Sequence, residues 1–401
     1  MEPGRRQAWR LELLAPLVLV ALAAFFWNFG FGMYRTVFHN FFVEDLRLGA
    51  QHLGWLEGIR EIPGLLTMLL AAVTLAIAPA RLAGWCILTM AAGLGLFALA
   101  RGFEDLIVYM LIFSTGFHLL YPLQSALVLR FAEPGQKGRR IGQLEGLASA
   151  ASLVAMGLVF VTAHFFELRQ YFWIGAGGAA LGAFALFALQ SRDDREVIPA
   201  KALQRRFVLR RAYMPYYILT LLGGARRHIF LTFASFNLVQ VHGVPVSNIA
   251  ALLAVSHMLA LYARPLMGRL VDQFGERRVF IISYLSVTGI VLGYAGISYL
   301  PALYVLFCLD QVFRVEMVTT TYLDKIAPTA DLAPSLAAGS SVNHITGVLV
   351  PVMGGYLWVA YGPSATFFAG AVISFLSLLY CLKLPDAKRY EGGAETSLSA
   401  T

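Results

Sequence analysis

Ionisable side chains recur inside apolar runs of this 401-residue chain, and their spacing decides what chemistry they can do. In "GWLEGIREIPG" (54–64), Glu57, Arg60 and Glu61 fall within about 100° of helical arc, with Gly54 and Gly64 on the same face. Upstream, Asn28, Arg35 and His39 are spaced i, i+7, i+11 and also form one stripe. Further on, "GGARRHIF" places Arg226 and Arg227 behind Gly223 and Gly224, and "LDQVFRVEMVTTTYLDKIAP" carries Asp310, Arg314 and Glu316. Ser114, His118, Pro122 and Ser125 share a face, as do His257 and Arg264, and Asn343 is followed by His344. Arginines of this kind can bind carboxylate or phosphate groups through a fixed fork of donors. Buried carboxylates and histidines can carry protons or close ion pairs.

Such charges need elements that keep them from lipid. The chain is 58% hydrophobic and 13% charged, with a mean hydropathy of +0.68. Soluble proteins carry roughly a quarter of their residues as charged types, and runs of about 20 apolar residues predict membrane spans. Twelve helices are expected, at about 12–42, 52–77, 82–100, 104–130, 141–165, 170–190, 212–240, 246–268, 279–298, 301–325, 336–360 and 364–383. The first apolar run resembles a signal peptide at its start but continues to about Phe42, far beyond a typical h-region. A central charge costs ~2.5–3.5 kcal/mol on insertion scales, so the Glu57–Arg60–Glu61 stripe must be paired or face water. The first span offers a partner: Arg35 is expected to meet Glu57 or Glu61. Asp310 and Arg314, at i, i+4, could neutralise each other, leaving Glu316 as a proton carrier or an answer to Arg226 or Arg227.

Orientation follows from charge. With the N-terminus inside, 22 of the 31 Lys and Arg residues fall in inner loops and tails, 3 in outer loops and 6 within helices. The positive-inside rule therefore places both termini in the cytoplasm. Residues 1–190 read as one six-helix bundle, 191–211 as a cytoplasmic linker, 212–384 as a second bundle and 385–401 as a tail. A shift of 195 residues lays the fourth span on the tenth, with Arg130 on Lys325 and Ala132 on Ala327, as two parallel repeats would. Parallel repeats of this kind hold their ligand near the bilayer midplane.

The stretch "GRLVDQFGERR" (268–278) carries a family resemblance: Gly268, then Asp272, Gly275 and the basic pair Arg277 and Arg278. It resembles the cytoplasmic signature of the major facilitator superfamily of secondary transporters. The equivalent loop between the second and third spans, "AIAPARLAG", keeps Arg81 and little else. The fifth span, "GLASAASLVAMGLVFV", lacks the glycine–proline motif of proton-driven drug exporters. The resemblance implies an all-α membrane protein of twelve transmembrane helices in two pseudo-symmetric bundles, working by alternating access. It implies gating roles for Gly268, Asp272, Gly275, Arg277 and Arg278. Glu145, beside Arg139 and Arg140, is a further gating candidate, as a helix cap or salt bridge. Superfamily members that carry organic phosphates use arginines on the first and seventh helices, which is similar to Arg35 and to Arg226 with Arg227 here.

Arg35, Arg60, His118, Arg226, Arg227, Arg314 and Asn343 are the expected substrate contacts. His39, Glu57, Glu61, Asp310, Glu316 and His344 are the expected proton-coupling or ion-pair groups. The expected function is secondary active transport of a small polar solute, an organic anion, coupled to protons. Efflux of hydrophobic or cationic compounds, or a non-transporting membrane receptor or assembly factor, are the alternatives. The three cysteines, Cys86, Cys308 and Cys381, give no disulfide framework, and no metal-ligand spacing, nucleotide loop or nucleophile–base constellation appears. No cofactor, metal, nucleic-acid partner or enzymatic activity is expected; the partners are the lipid bilayer, a small-molecule substrate and protons. The protein is expected to be a monomer in a bacterial inner membrane.

Overall fold

The computed structural model describes residues 3–74, 77–133, 135–189 and 210–384. The expected tail at 385–401 and nearly all of the expected linker lie outside them. Among the described residues every regular element is helical. In chain order these are α1 (Pro3–Asn40), α2 (Ala50–Leu65), α3 (Thr67–Val73), α4 (Pro79–Phe97), α5 (Phe103–Phe131), α6 (Lys137–Thr162) and α7 (Leu168–Ala188). They continue as α8 (Met214–Gln240), α9 (Val246–Phe274), α10 (Glu276–Gly296), α11 (Leu300–Val312), α12 (Glu316–Ile326), α13 (Thr329–Tyr361) and α14 (Pro363–Leu382).

Nine of these described helices are long and apolar enough to cross a membrane. The expected spans missing from that group are the second, seventh and tenth, and each carries charge. α8 keeps its length but holds Arg226, Arg227 and His228. The second span is divided into α2 and α3. Pro63 lacks a backbone donor, and the Thr67 hydroxyl donates to the Pro63 carbonyl at 3.0 Å just where the helix divides. The tenth span is divided into α11 and α12 at Phe313–Val315, where Phe313 leaves helical geometry with ψ 43°. Both breaks correct the expectation of continuous helices.

The chain forms two compact units. The first comprises Met1–Leu48, Ile62–Leu203 and Val244–Ala254; the second comprises Gly49–Glu61, Gln204–Gly243 and Val255–Thr401. In the first, α1 packs on α7 at contact distance. A Cβ on Gly175 would sit 3.1 Å from the Met33 Cβ and 3.2 Å from the Gly30 carbonyl oxygen, so small residues set the helix separation. In the second, α10, α12 and α14 enclose a core of Phe280, Tyr284, Val318, Tyr322 and Cys381. All three cysteines are free thiols.

Candidate functional site

The second unit gathers polar residues from α2, α8, α11, α12 and α13. Gly54 and Gly58 on α2 bring that helix against α13. A Cβ on Gly58 would lie 2.7 Å from the Val348 carbonyl oxygen, and one on Gly54 would overlap the Pro351 carbonyl oxygen. This approach carries the charged stripe of α2 to α13. Arg60 holds Glu57 at 2.8 Å and Glu61 at 2.7 Å, and His344 Nδ1 lies 2.7 Å from the other Glu61 oxygen. Gly347 leaves the room: a Cβ there would stand 2.7 Å from the Glu61 Cγ and 2.9 Å from the His228 ring. Glu57 and Glu61 are thus closed by Arg60 on their own helix and, for Glu61, by His344.

The two α8 arginines have different surroundings. Arg226 is 2% exposed and forms an ion pair with Asp310, itself 5% exposed. The neighbouring Arg227 is open on one side. Its Nη2 donates to Asn343 Oδ1 at 2.8 Å, and its Nη1 stands 3.6 Å from a Glu316 oxygen. Gly224 lets Asn343 come this close, since a Cβ would meet Thr346 Oγ1 at 2.8 Å and Asn343 Oδ1 at 3.0 Å. The break between α11 and α12 changes the expected Asp310–Arg314 pairing. Once the helix stops at Val312, the i, i+4 register is lost; Asp310 turns to Arg226 and Arg314 stands on the break. Arg314 is half-buried and makes no ion pair or hydrogen bond among the described residues.

The first unit holds the remaining candidates. His118 is buried and fixed within its own turn, with Nδ1 at 2.9 Å from the Ser114 hydroxyl and 3.0 Å from the Ser114 carbonyl. Arg35 and His39 are half-buried on α1, and Asn28 donates to the Ala24 carbonyl at 2.7 Å. Glu145 is exposed and makes no ion pair among the described residues; Arg140 turns instead to Gln143 at 3.1 Å. The expected cap or bridge at Glu145 is therefore absent there, because α6 begins at Lys137 and Glu145 lies two turns inside it.

The 268–278 loop also departs from expectation. Gly275 takes a positive φ of 77°, as its turn requires. Gly268 is not at a tight helix approach, since a Cβ would meet only the end of Met317 at 3.9 Å. Asp272 is exposed and unpaired among the described residues. The acid that binds a neighbour is Glu276, 2% exposed, with its carboxylate 3.0 Å from Lys325 at the end of α12. Arg277 caps α14 by donating to the Leu382 carbonyl at 2.7 Å, while Arg278 is exposed. Nearby, Asp331 at the start of α13 accepts from Tyr213 at 2.6 Å and pairs with Arg210 at 3.0 Å. Glu276, Tyr213 and Asp331 were not singled out in the sequence, and Lys325 only as the repeat partner of Arg130. The available signals were an acid in the first turn of α10 and a lysine in the last turn of α12.

Apolar helices that carry internal ion pairs, with an arginine left over at a helix break, define a multi-pass membrane protein built around a polar interior. The family model of the Major Facilitator Superfamily matches residues 20–319, and the chain belongs to that superfamily. Solved structures share the fold. A nucleoside transporter, NupG, superposes with a TM-score of 0.72 at 15% identity, covering 92% of this chain and 97% of that one. A D-xylose–proton symporter gives 0.71 at 15% identity, covering 94% and 99%. In sequence, the uncharacterized MFS-type transporter YfiS of Bacillus subtilis (strain 168) is 27% identical over 158 residues, 39% of this chain and 37% of that protein. Solute carrier family 22 member 18 of Mus musculus is 24% identical over 212 residues, 51% of each chain. The class C tetracycline resistance protein of Escherichia coli is 29% identical over 150 residues, 36% and 37% of the two chains. The chain spans about half or less of the length of these curated relatives. The chain therefore has the all-α, multi-pass membrane fold of that superfamily.

Proposed function

We propose that this transporter carries a small organic anion in symport or exchange with protons. Arg314 carries the reading. Arg226 is answered by Asp310 and Arg227 faces Glu316, so Arg314 is the arginine of this cluster with no carboxylate at ion-pair distance. A guanidinium at a helix break is a ready partner for a carboxylate or phosphate. Arg227 and Asn343 are assigned to the same ligand, and Glu316 is assigned to the proton. The membrane is a bacterial inner membrane, with both termini cytoplasmic, and the working form is a monomer.

Uptake into proteoliposomes tests this. Organic phosphates and carboxylates should be taken up with a KM raised roughly 10- to 150-fold in Arg314→Ala, the range of one lost charge-assisted hydrogen bond. Arg314→Lys should recover part of it. Uptake of cations with no anion uptake would overturn the reading.

One observation favours efflux of a cationic compound. The Glu316 carboxyl is 44% exposed and only loosely engaged at 3.6 Å, as a counter-charge for a cation would be, and the class C tetracycline resistance protein is among the relatives. Under that reading Glu316→Gln abolishes transport while Arg314→Ala spares it. A non-transporting receptor on this fold would instead seal every interior charge, and Arg314 argues against it.

A further inference from the structure

The first unit contains a run of aromatic rings that the arginine cluster does not explain. The rings of Phe31 on α1 and Phe113 and Phe117 on α5 are nearly parallel. Phe31 lies 5.2 Å from Phe117 with 19° between planes and 6.2 Å from Phe113 with 7°. Phe113 and Phe117 are 6.4 Å apart at 16°. The run begins in the core at Phe113, 1% exposed, passes through the half-buried Phe31 and Phe117, and ends at Tyr121, 6.4 Å from Phe117 and 65% exposed. Aromatic pairs prefer offset, parallel or edge-on arrangements at these separations, so an open ring at the end of such a run can accept one more flat ring.

A polar group lies beside the middle of the run. Trp27, packed against both Phe31 and Phe117, donates its indole N–H to Gln124 Oε1 at 2.8 Å. That bond fixes the Gln124 amide and directs its oxygen to the indole, which leaves its NH2 group as a donor. Pro122 lacks a backbone N–H, so the His118 carbonyl one turn earlier loses its usual i+4 donor.

Lipid-facing aromatics are the ordinary alternative, and face position argues against it. Phe31 lies within about 80° of Arg35, Asn28 and His39 on α1. Tyr121 lies within about 60° of His118 on α5. An arginine and a histidine at membrane depth do not turn to hydrocarbon.

We infer that the Phe31–Phe117–Tyr121 run is a specificity site that selects substrates bearing a planar unsaturated ring with a hydrogen-bond-accepting edge for Gln124. This rests on the transporter assignment and is independent of the preference for anions.

The test crosses ring planarity with charge on the purified full-length protein, read by thermal shift and titration. The probes are benzoate and nicotinate, cyclohexanecarboxylate, and the neutral pair nicotinamide and cyclohexanecarboxamide. Planar members should bind about tenfold more tightly than their saturated counterparts. Phe117→Leu should remove that difference while leaving the saturated compounds unchanged, and Phe31→Leu gives the same readout if Phe117→Leu does not fold. Equal binding of planar and saturated compounds, equal loss of both in the variants, or no binding by any planar probe overturns the inference. Binding of nicotinamide without any carboxylate would leave it standing and overturn the anion reading.

Discussion

Glu276 and Lys325 tie the start of α10 to the end of α12 at 3.0 Å, with the carboxylate buried and the ammonium one-third exposed. Removing the lysine leaves a buried acid unanswered. Lys325→Ala should therefore destabilise the protein by about 1.5–3 kcal/mol, the usual loss for a hydrogen bond to a charged group. The double variant Lys325→Ala/Glu276→Gln should recover part of it. Melting of the detergent-purified variants is the measurement, and an unchanged melting temperature in Lys325→Ala would show that the contact carries no energy.

Arg226 and Asp310 form a more deeply buried pair. Breaking one partner of such a pair costs about 3–5 kcal/mol, whereas replacing both with apolar residues is often neutral. Arg226→Leu and Asp310→Leu should each lower the yield of monodisperse protein sharply, and the double variant should restore it. Transport by the double variant should persist, because this pair is assigned to the fold rather than to the substrate.

Asn343 orients Arg227 by accepting a hydrogen bond from its Nη2 at Oδ1. Asn343→Leu should raise the KM for the anion proposed as substrate by roughly 10-fold or more, with the maximal rate changed much less. A fall in maximal rate with KM unchanged would place Asn343 in the conformational step instead.

Gly54 lies against the Pro351 carbonyl. Gly54→Val should force α2 from α13 and separate Glu61 from His344, abolishing transport. Gly157→Val on α6 is the control, because a Cβ there meets nothing within 4 Å. Equal activity in both variants would mean that the α2–α13 approach is not needed.

The apolar runs made the twelve-span fold legible, since hydropathy is a sum over many residues. The pairing of interior charges was less so. Helical spacing correctly groups Glu57, Arg60 and Glu61 on one face, and Arg60 does close on both acids. The same rule fails for Asp310 and Arg314, because it assumes an unbroken helix and nothing at Phe313 signals a break in the way that a proline does. The signature loop taught a similar lesson. Its pattern pointed to Asp272, whereas burial selects Glu276, four residues on, and only three-dimensional packing distinguishes them. The aromatic run was missed because phenylalanines in a membrane helix carry no contrast against their background.

The division of the chain into units bears on how the protein is made. The first unit takes its last segment, Val244–Ala254, from beyond the midpoint of the chain. During synthesis it therefore stays incomplete until the ribosome has passed residue 254, by which time Gly49–Glu61 has been waiting for the second unit over nearly half of translation. A gene cut between residues 203 and 204 would yield two fragments, each carrying a segment that belongs to the other's unit.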